Sequence, residues 1–403
     1  MAVGGMVGGG IFSVLGVIIQ SAGQWAWLSF LTAGIIALIS AYSYSQLSLM
    51  YKEGGGAFTF LRKIDHEGFA GSLSWILILG YILTLSVYAF TFGHYVAHVF
   101  NAGNWLPRIL AFAVIAILTL VNLQGVGDAS RVEIITVYGK LLVLLGLAFF
   151  GISKWAPEML TSGIEPKPWH AAIIGAGTIF MAYEGFQLLA YDYNDLKKPD
   201  KTLPAATMWA VVSVLLIYIL VALGTTMLIG AETLVEKKEV ALSVAGQKAL
   251  GVFGLIVVTI AAAFSTGSAI NATLFSTSRL MESVAEKKDL PQLFTKENDA
   301  NIPYYAIIAI SAVAITLSII GSLDSLVDAA SIIFLFTFGT VNMIAFLQKV
   351  KWNWICLVGA IGCGLAIVAD IIEQIENNPF AIGGLILVSA AVFVSRPILL
   401  KKL

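Results

Sequence analysis

The sequence predicts an all-α membrane protein of twelve transmembrane helices, and three observations carry that expectation. Of its 403 residues 59% are hydrophobic and only 12% are charged, with a mean hydropathy of +0.90; a soluble domain carries about 25% charged residues. Twelve spans of ~20 residues take up ~240 positions, which is close to 59% of 403 residues. The apolar runs have helix length and are parted by short polar loops, unlike the alternating ~10-residue blocks of a membrane barrel. Composition excludes a soluble enzyme and a disordered chain. A net charge of −1 also excludes a nucleic-acid binder, which needs a basic surplus. Two cysteines, Cys356 and Cys363, cannot frame a disulfide scaffold.

In order, the expected spans are 1–21, 25–49, 68–100, 105–123, 131–152, 170–192, 204–230, 248–281, 303–321, 325–347, 352–372 and 379–396. With the N-terminus cytoplasmic, the inner loops and tail hold 16 Lys and Arg residues and the outer loops hold 6. The positive-inside rule therefore places both termini in the cytoplasm. Met1 stands almost directly on apolar sequence with no basic leader, so no signal peptide is expected. The start is expected to cut away a short cytoplasmic segment and the first turns of span 1. Between spans 2 and 3, Glu53-Gly54-Gly55-Gly56 reads as a flexible inner turn, and 57–63 as an interfacial helix with a basic edge. The stretch 231–247 reads as a short outer helix, and Pro291 and Pro303 bound a polar inner connection.

Two glycine clusters stand apart from ordinary helix packing. Span 1 carries Gly4-Gly5-Met6-Val7-Gly8-Gly9-Gly10-Ile11-Phe12, and three consecutive glycines predict a break in the helix. Close helix–helix contact through small residues is the plainer alternative. Span 6 carries Phe180-Met181-Ala182-Tyr183-Glu184-Gly185-Phe186, with a carboxylate and a glycine at mid-span. Interrupted helices in corresponding positions of two halves point to a transporter site. Spans 1 and 6 are five apart, which fits inverted five-helix repeats over 1–152 and 170–347, with 352–403 appended. A broken helix frees N–H groups that bind a carboxylate and carbonyls that accept from an ammonium group.

At these residues the chain resembles the amino acid–polyamine–organocation superfamily of secondary transporters, nearly end to end. The resemblance rests on Gly8, Gly9, Gly10, Ile11 and Phe12; on Gly55, Gly56 and Phe58; on Phe180, Tyr183, Gly185 and Phe186. It continues through Asn194-Asp195-Leu196-Lys197-Lys198-Pro199, then Pro204, Phe264-Ser265-Thr266, Asn271-Ala272-Thr273 and Arg279. The resemblance implies a LeuT-like five-plus-five inverted repeat with discontinuous helices 1 and 6, working by alternating access in the plasma membrane. It implies a small amino acid or amine as substrate, no cofactor and no enzymatic reaction. The carboxylate is expected at Gly8, Gly9, Gly10 and Ile11, and the amine at the carbonyls of Phe180, Met181, Ala182, Tyr183, Glu184 and Gly185. Phe180, Tyr183 and Phe264 are candidates for the side-chain pocket.

Lys140 and Glu184 are read as the only ionisable groups deep within spans, and an uncompensated charge there costs about 2.5–3.5 kcal/mol or more. Lys140 resembles the span 5 lysine of proton-coupled, sodium-independent members. That match gives it the Gly4 carbonyl and Ser265 as partners, and a role as proton carrier or fixed sodium surrogate. Glu184 reads as a second titratable group, a partner for a substrate amine, or a brace of the break. Asp192 and Asp195 read as contacts at the inner gate. His94 and His98, four apart, read as polar interface residues, and no metal is expected. Trp25, Trp27, Trp105, Trp155, Trp169, Trp352 and Trp354 fall at span edges, where interfacial anchors lie. The expectation is a proton-coupled amino acid symporter; the alternatives are an exchanger or facilitator of the same fold, and a membrane sensor or channel.

Overall fold

A computed structural model describes residues 2–64, 66–100, 103, 105–125, 130–191 and 193–377. Each of the first eleven expected spans falls on helix, and the twelfth, 379–396, lies outside the described residues. The helices are α1 (Ala2–Ala22), α2 (Ala26–Tyr51), α3 (Ala57–Lys63), α4 (Glu67–Phe100), α5 (Leu106–Leu123), α6 (Ser130–Lys154) and α7 (Ala171–Thr178). They continue as α8 (Leu188–Tyr191), α9 (Pro199–Ile229), α10 (Ala231–Glu236), α11 (Ala241–Glu286), α12 (Tyr304–Ile320), α13 (Leu323–Leu347) and α14 (Asn353–Asn377). Among the described residues, eight stretches are long and apolar enough to cross a membrane.

Local chemistry sets the boundaries. Lys52 ends α2 in a left-handed conformation, and Pro199 opens α9 at the position where its missing N–H costs nothing. Gly230, at φ +84°, turns the chain out of α9, and Gly251, at φ +63°, kinks α11 between its outer part and its long span. The Ser322 hydroxyl caps α13 by accepting the Ser325 N–H. Small residues set the closest crossings: α6 and α9 meet at Gly151 and Gly224, where a side chain on either would enter the other backbone. Trp105, Trp155, Trp169, Trp352 and Trp354 are exposed at helix ends, as anchors are.

The centre of the bundle is α1, which touches α2, α4, α6, α7, α9, α11 and α13. It runs unbroken from Ala2 to Ala22, which corrects the expected gap at Gly8, Gly9 and Gly10. None of the three adopts a positive φ. They serve close packing instead. A Cβ on Gly8 would stand 2.8 Å from that of Ala269, and one on Gly10 would stand 2.5 Å from the Tyr218 hydroxyl. A Cβ on Gly9 would fall inside the Tyr88 ring. Tight neighbours hold a glycine-rich segment helical, and the conformational freedom that argued for a break is removed by packing.

The loop 53–56 is likewise not a loose turn. Gly55 N–H donates to the Ala190 carbonyl at 3.1 Å, and Gly56 leaves room for the Tyr191 hydroxyl. The short α3 buries Phe58, Phe60 and Leu61, and Arg62 pairs with Asp289 at 2.8 Å. This loop seals the bundle beneath the interrupted helix.

Candidate functional site

Span 6 is interrupted where Glu184 and Gly185 predicted it. Helix α7 ends at Thr178; Phe180–Tyr183 forms one tighter turn; Glu184 is extended at ψ 138° and Gly185 takes φ +126° before α8 resumes at Leu188. Glycine is required at that φ. A Cβ there would also stand 2.9 Å from the Met6 nitrogen, because α1 passes directly against the break. Phe180, Met181, Ala182, Tyr183 and Phe186 are all fully shielded.

Buried backbone groups freed by such a break need partners, and side chains from other helices supply them. Ser331 on α13 donates to the Thr178 carbonyl at 2.7 Å and accepts the Met181 N–H at 3.0 Å, bridging the gap. Tyr218 on α9 stands 2.7 Å from the Met6 carbonyl and 2.9 Å from the Ala182 carbonyl, so its hydroxyl lies between α1 and the break. The Ile11 N–H faces the same oxygen. Tyr183 donates to the Phe30 carbonyl of α2 at 2.7 Å. Phe180 and Phe186 pack on Phe338, with centroids 5.7 and 5.0 Å apart.

Glu184 is 6% exposed, and its Oε1 accepts Gln187 Nε2 at 2.7 Å. The same amide accepts the Gly185 N–H at 2.9 Å and approaches the Tyr81 hydroxyl at 3.2 Å. Gln187 thus braces the break.

Near the start of α1, the carbonyls of Gly4, Met6 and Val7 accept side-chain donors from other helices. Lys140 Nζ of α6 donates to Gly4 at 2.9 Å, Tyr218 serves Met6, and Ser265 of α11 donates to Val7 at 3.0 Å. Lys140 is buried at 2% exposure. Lys140 thus takes the expected Gly4 carbonyl, while Ser265 bonds the Val7 carbonyl three residues further along α1. Phe264 does not join them: 61% exposed, it points away from the site, because inward-facing Ser265 and Thr266 turn their neighbour to the opposite face of α11. His94 stacks on Phe90 and faces Glu239 at 3.4 Å, and no group of metal-ligating residues occurs among the described residues. Asp192 and the side chain of Asp195 lie outside the described residues.

Sequence reading missed Tyr218, Ser331, Gln187 and Asp370. Asp370 is fully shielded on α14 and accepts the Thr178 hydroxyl at 2.9 Å. Lys140 and Glu184 are therefore not the only ionisable groups buried within spans. An unusually placed Asp was the available signal; Tyr218 and Ser331 sit in ordinary apolar runs and carried none.

The sequence profile of amino acid permeases matches residues 1–394. The chain belongs to the amino acid permease family. That family lies within the amino acid–polyamine–organocation superfamily and fits the LeuT-like fold. The permease is 29% identical over 350 residues to the inner membrane transport protein YbaT of Escherichia coli, covering 86% of this chain and 81% of that one. It is 26% identical to the serine/threonine exchanger SteT of Bacillus subtilis, over 81% of this chain and 76% of the relative. Large neutral amino acids transporter small subunit 2 of Mus musculus is 30% identical, over 72% of the permease and 57% of its own length. The permease is a multi-pass membrane protein of an amino acid transporter family.

Proposed function

We propose that the permease moves amino acids across the plasma membrane by alternating access, with both termini in the cytoplasm and the inverted repeats 1–152 and 170–347 rocking against each other. The interrupted helix against α1 carries this reading. The segment 180–185, set against α1, is where peptide carbonyls outside a regular helix can meet the ammonium group of a small zwitterion. In this conformation the Tyr218 hydroxyl holds the Met6 and Ala182 carbonyls together, and an incoming ammonium group displaces it. Tyr183, Phe180 and the neighbouring aromatic rings close over the substrate side chain.

Lys140 is proposed as the coupling residue. Its ammonium group is held on the Gly4 carbonyl, so loss of its proton releases α6 from α1. Purified permease in liposomes, preloaded with one amino acid and offered it labelled outside, should show saturable counterflow. Uptake that rises linearly with concentration, or a conductance without saturation, overturns the transport reading. With a pH gradient imposed, wild type should accumulate substrate and Lys140→Ala should not. A second reading, exchange with Lys140 permanently charged, is favoured by the likeness to a serine/threonine exchanger; there the gradient has no effect on wild type.

A further inference from the structure

Asp370 lies on α14, outside both proposed repeats, and is completely shielded. Its Oδ1 accepts the Thr178 hydroxyl at 2.9 Å, while its equally buried Oδ2 meets no hydrogen-bond geometry among the described residues, the Gln374 amide being its polar neighbour. Thr178 is the last residue of α7, and its carbonyl is the one Ser331 takes up at the break. The two helices are in close contact here: a Cβ on Gly177 would stand 2.9 Å from that of Asp370 and 2.6 Å from the Ala366 carbonyl. A carboxyl group is thus pressed against the end of the interrupted helix.

Its surroundings are acidic. Helix α14 packs on α13, α7 and α2. From α13 comes Asp328, which itself faces Asp324, and from α14 comes Glu373, with the Gln374 amide beside both Asp328 and Asp370. Lys238 also faces Asp328 but is paired with Asp324. Helix α7 has no ionisable side chain, and those of α2 are Tyr42, Tyr44 and Tyr51. Among the described residues no cation forms an ion pair with Asp370. A buried carboxylate with one oxygen unserved and other acids nearby is costly. A proton on Oδ2 removes that cost and leaves the Thr178 bond intact.

We propose that Asp370 is a proton-binding site, holding a proton on Oδ2 while α7 is docked on α14 and releasing it to water when the interrupted helix moves away. This deepens the transport reading and rests on it for the movement of α7. The step makes and breaks one O–H bond and exchanges the proton with bulk water. It is separate from Lys140, which stands on α6 and bonds the Gly4 carbonyl, and gives the appended helix a part in coupling.

Infrared spectroscopy of the purified protein tests the site without transport: wild type at neutral pH should show a neutral carboxylic acid band that Asp370→Asn lacks. In proteoliposomes, counterflow by Asp370→Asn should lose part of its dependence on pH, that of Lys140 remaining, and gradient-driven accumulation should fall by about tenfold, within the usual range of a coupling energy. Thr178→Val keeps the carboxyl but removes a donor that favours its ionised form, so the midpoint of the pH profile should move to higher pH. An unchanged band in Asp370→Asn overturns the proposal, as does an unmoved midpoint in Thr178→Val. Wild type with no counterflow for any amino acid sinks the transport reading, while the infrared band still decides the state of Asp370.

Discussion

The hydroxyl of Tyr218 stands 2.9 Å from the carbonyl oxygen of Ala182 and ties α9 to the middle of the interrupted helix. It reaches Met6 of α1 at 2.7 Å from the same position. One proton cannot satisfy both carbonyls fully, so this contact is a fastening that a better donor can replace. An ammonium group brings three protons and a charge.

Tyr218→Phe keeps the ring and removes the fastening. Two buried carbonyls lose their donor, so the substrate-free protein should lose ~1–3 kcal/mol of stability, read as a lower unfolding midpoint in detergent. A substrate that must displace the hydroxyl should bind the variant more tightly, by up to ~10-fold for each 1.4 kcal/mol removed from the competitor. Weaker binding would mean that the hydroxyl contacts the substrate itself.

Ser331→Ala tests the bridge across the gap. The variant leaves the Thr178 carbonyl and the Met181 N–H without their shared partner. Both groups are buried, and the expected loss is ~1–3 kcal/mol for each one left unserved. Ser331→Thr keeps the hydroxyl and should recover much of the midpoint. Equal behaviour of the alanine and wild-type proteins would show that water or a local shift takes over the bridge.

Gly9 against Tyr88 gives a prediction about α1. Because a Cβ on Gly9 would enter the ring, Gly9→Ala should lower stability by ~1–3 kcal/mol or more through overpacking. Adding Tyr88→Leu should return part of that loss, since the ring is what the methyl meets. A purely conformational role for Gly9 predicts no such rescue.

These cases show how far the sequence could be read. The break in span 6 was legible because a carboxylate and a glycine at mid-span leave a membrane helix few ways to continue, and Gly185 needs its φ of +126°. The break in span 1 was misread because glycine serves two purposes, and Tyr88, Ala269 and Tyr218, which make packing the purpose here, come from distant parts of the chain. Phe264 was a pocket candidate, yet it stands one residue, about 100° on a helix, from the inward-facing Ser265 and is turned outward. Asp370 falls inside the expected span 352–372 but close to its end, where Glu373, Gln374 and Glu376 follow, so it read as part of a helix leaving the membrane. Ser331 could not have been found, since a serine in an apolar helix usually bonds its own backbone.

Glu184 separates charge from scaffold in the site. Its Oε1 accepts the Gln187 amide, which in turn accepts the Gly185 N–H, and a glutamine at 184 can still offer a carbonyl to that amide. Glu184→Gln should therefore change the unfolding midpoint little, whereas Gln187→Leu strips both bonds and should lower it by ~1–3 kcal/mol. Transport divides the two roles of the carboxylate. If Glu184 faces the substrate as an anion, cationic amino acids should lose ground to neutral ones in Glu184→Gln, measured as the ratio of their counterflow rates at one pH. If it only braces the turn, that ratio stays as in wild type, and Gln187→Leu becomes the more damaging change for every substrate. The brace reading gains weight from the geometry: Gln187 serves the carboxylate and the Gly185 N–H together, while Tyr218 holds the Ala182 carbonyl.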